Sequence, residues 1–305
     1  MAMSAPSPVR RAFADLVRKA DADIDLARAA LLIAQEEYPA LDIEGYLAHL
    51  DDLADLVRAR LGLMAGGPAA RRPLAPVAAP REIITALNTV LFVERGFRGN
   101  RDDYYDPRNS FLNEVLDRRT GIPITISLVY MEVAARLGLR LLGVGIPGHF
   151  IVQYAGVGNG PGRYGRPQAD ELFVDPFNDG ALLTRADCAA HFRRLYGPDF
   201  TFSGEFLTPM TRHQILARVL NNLKAIYLQR RDYNRAVVVV DRLLLVHPDA
   251  VWELKERGLL YYRLGAFLPA LSDLRGFLRQ DPDAEEVPLV RYYADLCHRL
   301  LMIAN

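Results

Sequence analysis

Cysteine is scarce in this chain: two in 305 residues, Cys188 and Cys297. Two thiols build neither a disulfide framework nor a four-cysteine zinc site. Neither sign of charge is in excess, with 37 Lys plus Arg against 37 Asp plus Glu. A balanced chain carries no global pull toward phosphate backbones or anionic lipid, which argues against nucleic acid or membrane as the main partner. Long apolar runs are also missing. The longest, AVVVVDRLLLV, is broken by Asp241 and Arg242, far short of the ~20 residues a membrane span needs. The opening MAMSAPSPVRRAFADLVRKA holds Arg10, Arg11 and Arg18 but no apolar core of a secretory signal. It reads as a fraying amphipathic helix, with a transit peptide as the alternative. What is present is apolar residue in quantity, 50% of the chain against 24% charged. That composition predicts a globular cytoplasmic protein with room for two domains.

Helical patterns open the chain. Ile24, Leu26, Ala27, Ala30, Leu31 and Ala34 favour one face, and Ile43, Tyr46, Leu47, Leu50, Leu53 and Val57 form a second stripe. The stretch Met64 to Pro80 is rich in Gly, Pro and Ala without periodicity and reads as a linker. Helical spacing resumes at Arg81 and closes at Gly96. The middle third changes character. PITISLVYMEVAARLGL reads as a buried helix ended by Gly138. The short runs LLGVGIP, HFIVQY and ELFVDPF read as strands. AGVGNGPGRYGRPQAD, between the last two, reads as an exposed mobile loop, and its glycine spacing fits no phosphate-binding fingerprint. A helix followed by antiparallel strands predicts an α+β core.

The last third repeats itself. Tyr227 matches Tyr261, Ala236 matches Ala270, Pro248 matches Pro282 and Asp249 matches Asp283, each pair 34 residues apart. That period, with a small residue in the second helix and Pro-Asp after it, resembles the tetratricopeptide repeat. Two units and a flanking helix from Glu286 to His298 are few for a free solenoid, which predicts that the repeats dock on the rest of the protein. The expected organisation is a helical region and linker over 1–80, a core over 81–204 and helical repeats over 205–305.

Four features of the middle third fall in a telling order: a helix opening at Gly-Ile-Pro, a histidine in PGHFIVQY, an aspartate in FVDPFNDG, and strands between them. This order resembles the transglutaminase-like, papain-related core. In that superfamily a cysteine at a helix N-terminus is the nucleophile, a histidine on a following strand is its base, and an aspartate on the next strand orients the histidine. The helix N-terminus lowers the thiol pKa, and the carboxylate-held imidazole takes the proton. NSFLNEVLDRRTGIPITISLVYMEVAARLGL with the two later motifs is similar specifically to the SirB1 family, which joins this core to tetratricopeptide-type helices. The resemblance runs from about Asp23 to the end and implies that His149 stands at the histidine position and Asp175 at the aspartate position.

The nucleophile position departs from the catalytic superfamily. Where its helix reads Gly-x-Cys, about fifteen residues before the closing glycine, this chain has Pro123. Proline brings no nucleophile but suits a first helical turn, where its missing N–H costs nothing. Thr125 and Ser127 in the next turn are the substitute hydroxyls, but displacement by a turn takes them out of the roughly 2.6–3.2 Å contact that base catalysis needs. Cys188 and Cys297 fall outside the motif and read as core or half-buried thiols. Two ligands are too few for zinc, so no metal or cofactor is expected. The other histidines, His49, His191, His213, His247 and His298, show no ligand spacing and read as ordinary positions. The expected function is that of a non-catalytic protein binding a protein or peptide through its repeats. The alternative is a hydrolase or acyl-transferase of amide bonds using a substituted nucleophile with His149 and Asp175.

Overall fold

A computed structural model describes residues 7–62, 79–155, 172–197 and 201–303. Most of the stretch read as a linker, and all but the first residue of the Gly/Pro-rich loop, lie outside the described residues. The chain divides into two units, Asp25–Ile215 and Met1–Ile24 with Leu216–Asn305.

The unit of Asp25–Ile215 is built around one helix. Helices α2 (Leu26–Gln35) and α3 (Ile43–Arg60) start at Asp25 and Asp42, whose carboxylates accept from the N–H groups of Arg28 and Gly45. Such caps satisfy backbone donors that a helix start leaves open. Helix α4 (Pro80–Asn88) runs into a π-helical turn over Thr89–Glu94. After β1 (Arg98–Gly99) come α5 (Leu112–Arg118) and β2 (Thr120–Gly121), a two-residue strand parallel to β1. The buried helix expected from the sequence is α6 (Pro123–Arg136), in which every residue from Pro123 to Tyr130 is buried. It packs on α3 and α5 on one side and on the sheet on the other. That burial explains its nearly all-round apolar sequence.

The sheet is antiparallel in the order β3 (Leu141–Val144), β4 (Ile151–Tyr154), β5 (Phe173–Asp175), β6 (Ala181–Leu183). Its register pairs Gly143 with Val152 and Val152 with Val174. Helix α7 (Arg185–Tyr196) follows, capped by Thr184. A buried polar link ties three of these parts together. The Tyr130 hydroxyl on α6 donates to Asn88 Oδ1 at 2.7 Å, and Asn88 Nδ2 on α4 donates to the Gly180 carbonyl at 2.8 Å. Gly180 has φ +74 and lies so close to the Asn88 side chain that a Cβ would not fit, so both its backbone and its space require glycine.

The other unit holds the repeats: α8 (Arg212–Gln229, entering from the preceding unit), α9 (Tyr233–Val246), α10 (Val251–Arg263), α11 (Phe267–Gln280) and α12 (Val287–Ile303). The 34-residue period reaches the backbone dihedrals. Asp232 before α9 has φ −84 and ψ 76, and Ala266 before α11 has −85 and 68. His247 and Asp281, which end those helices, stand at −132, 81 and −135, 72. Ala236 and Ala270 are both buried, and Gly258 lets α10 approach α11, since a Cβ there would meet Leu274 at 2.8 Å. Arg257 joins Asp241 of α9 to Asp273 of α11 with contacts of 2.7 to 2.8 Å.

The N-terminal helix corrects an expectation. Instead of fraying, α1 (Pro8–Val17) packs against α9 and buries Phe13, Ala14, Leu16 and Val17. Arg10 pairs with Asp241 at 2.8 Å, and Arg242 stacks over the Phe13 ring at 5.7 Å. The apolar side of the amphipathic pattern is satisfied by a helix more than two hundred residues away in sequence, which local reading does not reach. No helix among the described residues is long and apolar enough to cross a membrane.

Candidate active site

Asp175 is the last residue of β5, and its carboxylate also caps the short 3-10 turn Pro176–Asn178. His149 sits in the turn that enters β4, two residues ahead of the strand rather than on it, with its N–H donating to the Ile146 carbonyl. Gly148, at φ +73, makes that turn possible. Because β4 and β5 pair antiparallel, these two ends meet. His149 Nε2 lies 2.8 Å from Asp175 Oδ2, and both side chains are buried.

Asp175 is held by four donors. Oδ2 accepts from His149 and from Asn178 Nδ2 at 2.6 Å, and Oδ1 accepts from the N–H groups of Phe177 and Asn178 at 3.1 and 3.2 Å. Burial alone would raise the carboxyl, but the bond and charge of His149, with the Asn178 donors, hold it below its ordinary value. An ionised Asp175 fixes the ring with Nε2 toward the carboxylate. The Phe177 ring meets His149 edge-on at 5.8 Å, and Arg101 lies over Phe177 at 5.3 Å.

Pro123 stands at the first position of α6. The two substitute hydroxyls are placed unlike nucleophiles. Thr125 Oγ1 donates to the Asn109 carbonyl at 2.6 Å and accepts from the Ile122 N–H at 3.1 Å, so it serves as a buried tie between the helix start and the preceding chain. Ser127 is fully buried, and its Oγ has no hydrogen-bond partner among the described residues. Cys188 on α7 packs among Val144, Ile146, Ile151, Phe173 and Leu207. Burial, then the Asp187 and Asp175 carboxylates, push its thiol up to about 11, the opposite of the lowered pKa of an activated cysteine. Cys297 on α12 is likewise buried.

One residue of this site escaped the sequence. His191 on α7 lies with its ring 5.2 Å from that of His149, tilted by 34°. Burial lowers its pKa, the charges of His149 and Arg194 lower it further, and Asp175 opposes them. Arg194 Nη2 lies 3.2 Å from its Nδ1, a contact that suits a neutral ring accepting there. Only a helical pattern of no special spacing precedes His191, so no local signal marked it. No group of three His, Cys, Asp or Glu among the described residues could hold a metal ion. Chemically, the arrangement offers an imidazole oriented by a buried carboxylate.

Residues 44–221 match the transglutaminase-like superfamily, and residues 223–293 match the tetratricopeptide repeat. A UPF0162 protein of Xylella fastidiosa strain Temecula1 is 35% identical over 275 residues, 89% of each chain. A UPF0162 protein of Vibrio cholerae is 28% identical over 202 residues, 66% of this chain and 71% of that one. Human F-box only protein 21 is 31% identical over 187 residues, 60% of this chain but 28% of that protein. No solved structure matches. The chain belongs to the transglutaminase-like superfamily, in its SirB-like UPF0162 branch, with tetratricopeptide repeats behind the core.

Proposed function

We propose that this is a cytoplasmic, non-catalytic transglutaminase-like protein that binds a protein or peptide through its repeat helices. The observation that carries the reading is Pro123 at the first turn of α6, where the superfamily's chemistry calls for a thiolate. The neighbouring groups support it. Thr125 spends its hydroxyl on Asn109 and Ile122, Ser127 is sealed from solvent, and the Cys188 thiol is buried and held protonated. His149 and Asp175 then act as a polar clamp between β4 and β5, with four donors converging on one carboxylate. On the repeats, Trp252 and Leu268 are 59% and 63% exposed, apolar side chains of the kind that anchor a bound peptide. Two cysteines without a disulfide suit a reducing compartment.

The test has two arms. Hydrolysis and amine exchange on glutamine and amide substrates are measured for the intact chain, His149→Ala, and an iodoacetamide-treated control; no turnover is expected in any. Turnover that disappears in His149→Ala would refute the non-catalytic reading and reinstate the hydrolase alternative. Panning a peptide library against the intact chain is expected to select ligands whose binding falls in Trp252→Ala or Leu268→Ala. Selection that ignores both substitutions would count against the repeats as the docking surface.

A further inference from the structure

A concavity on the core unit shares no residue with the histidine–aspartate site. It is a cleft of about 180 Å³ between α3, the end of the π-helical turn and the junction of α5 with β2. Its floor is apolar: Leu53 and Phe97 are buried, and Leu56 is half-buried. Arg95 and Arg119 also line it. Arg58, Arg60, Arg118 and Arg136 of the same unit each pair with a carboxylate. Among the described residues, Arg95 and Arg119 do not.

Both arginines arrive on irregular backbone. Arg119 follows α5 with φ 55 and ψ 30, the left-handed conformation at a helix end that glycine fills most easily. Keeping a long cationic side chain there opposes the local preference. Arg95 ends the π-helical turn, its N–H donating at 2.9 Å to the carbonyl of Val90. Such wide turns are rare and concentrate at functional sites. Two unrelated departures from regular structure thus bring two arginines, neither paired with a carboxylate among the described residues, to one small cleft of mixed polar and apolar lining. Asp52 and His49 of α3 also line the cleft, and Asp52 brings it a single negative charge.

We propose that this cleft binds a small organic monocarboxylate. Its carboxylate would lie between Arg95 and Arg119, since guanidinium and carboxylate match in plane and charge. Its apolar body would rest on Leu53, Leu56 and Phe97. The volume suits one ring, because a cavity of about 150 Å³ takes benzene. Asp52 selects against a second negative charge, so a phosphate dianion is disfavoured.

Isothermal titration calorimetry on the intact chain tests this with benzoate, its neutral analogue benzamide, and inorganic phosphate. Benzoate is expected to bind with a Kd of about 1 mM or tighter, and the other two at least about ten-fold more weakly. Arg119→Gly separates binding from folding, because glycine suits the backbone there: its melting temperature should equal or exceed that of the parent while benzoate affinity falls at least about ten-fold. Arg95→Gln should lose affinity to a similar degree, and amide chemical shifts perturbed by benzoate should cluster at Leu53, Arg95, Phe97 and Arg119. The proposal is overturned by any of four results: no benzoate binding, equal binding of benzamide, preference for phosphate, or unchanged benzoate affinity in a folded Arg119→Gly protein.

Discussion

Replacing Asp175 by alanine removes one carboxylate and strands four donors at once. The losses are the His149 ring nitrogen, the Asn178 amide and the N–H groups of Phe177 and Asn178. Hydrogen bonds to a charged group contribute about 1.5–3 kcal/mol each. They are not additive here, because some donors can turn to water when the 3-10 turn relaxes. The removal of one partner of a buried pair, about 3–5 kcal/mol, is the better guide. That is a large part of the about 5–15 kcal/mol that holds a domain together. Because the chain has two units, a global unfolding curve would blend them; hydrogen exchange of the peptides carrying β4, β5 and the Pro176–Asn178 turn isolates the affected part. Those peptides should lose protection by about 3–5 kcal/mol while the repeat helices keep theirs. Asp175→Asn, which keeps one acceptor oxygen, should cost less at neutral pH. Its cost should also shrink in acid. The folded Asp175 titrates below its unfolded value of about 3.9, so its contribution is complete above that pH and is lost as the pH falls through the depressed folded pKa. A loss under about 0.5 kcal/mol in Asp175→Ala, the level of an ordinary surface substitution, would refute the account of this carboxylate as a structural clamp.

The Cys188 thiol, buried and pushed up to about 11, should resist a disulfide reagent at neutral pH in the native protein and react on unfolding; rapid native labelling of Cys188, located by peptide mapping, would contradict this. In the repeats, Lys224 reaches Glu253 at 2.7 Å where the Glu253 side chain is almost wholly buried. Lys224→Met should therefore destabilise that unit by about 3–5 kcal/mol, read as hydrogen exchange of the peptides from α8 and α10, and adding Glu253→Leu should recover most of the loss. Equal stability of the single and double variants would show that the pair is not coupled.

Legibility followed the range of the signal. Helix α6 was readable because its burial is nearly all-round and Gly138 ends it. The repeats were readable because a period of 34 imposes the same residues and the same end dihedrals at Asp232 and Ala266. The pairing of His149 with Asp175 was implied by the resemblance to the transglutaminase-like core, although His149 belongs to the turn before β4 and not to the strand. Two-residue strands such as β1 and β2 leave no alternation to detect, and β6, with two of its three residues exposed, carries too little burial to mark itself. The π-helical turn after α4 depends on how its flanks pack, so the sequence read as continuous helix up to Gly96. His191 and the partner of α1 were hidden for one reason. Each is defined by a contact across many residues, and a helical histidine or an amphipathic stripe looks the same whatever it faces.

The link from Tyr130 through Asn88 to the Gly180 carbonyl bears on the order in which the chain can assemble. The turn after β5 is held locally by Asp175, and its Gly180 carbonyl also accepts from a side chain 92 residues upstream. On the ribosome, α4 and α6 emerge long before Gly180 does, and their hydroxyl–amide contact can form first. Asn88 then stands ready as a docking peg for the arriving turn, and Gly180 alone can settle against it without a collision. Asp175 lies five residues ahead of that glycine, so one turn carries both the contact to Asn88 and the carboxylate that meets His149. A substitution at Asn88 would accordingly loosen the far end of the turn that positions Asp175.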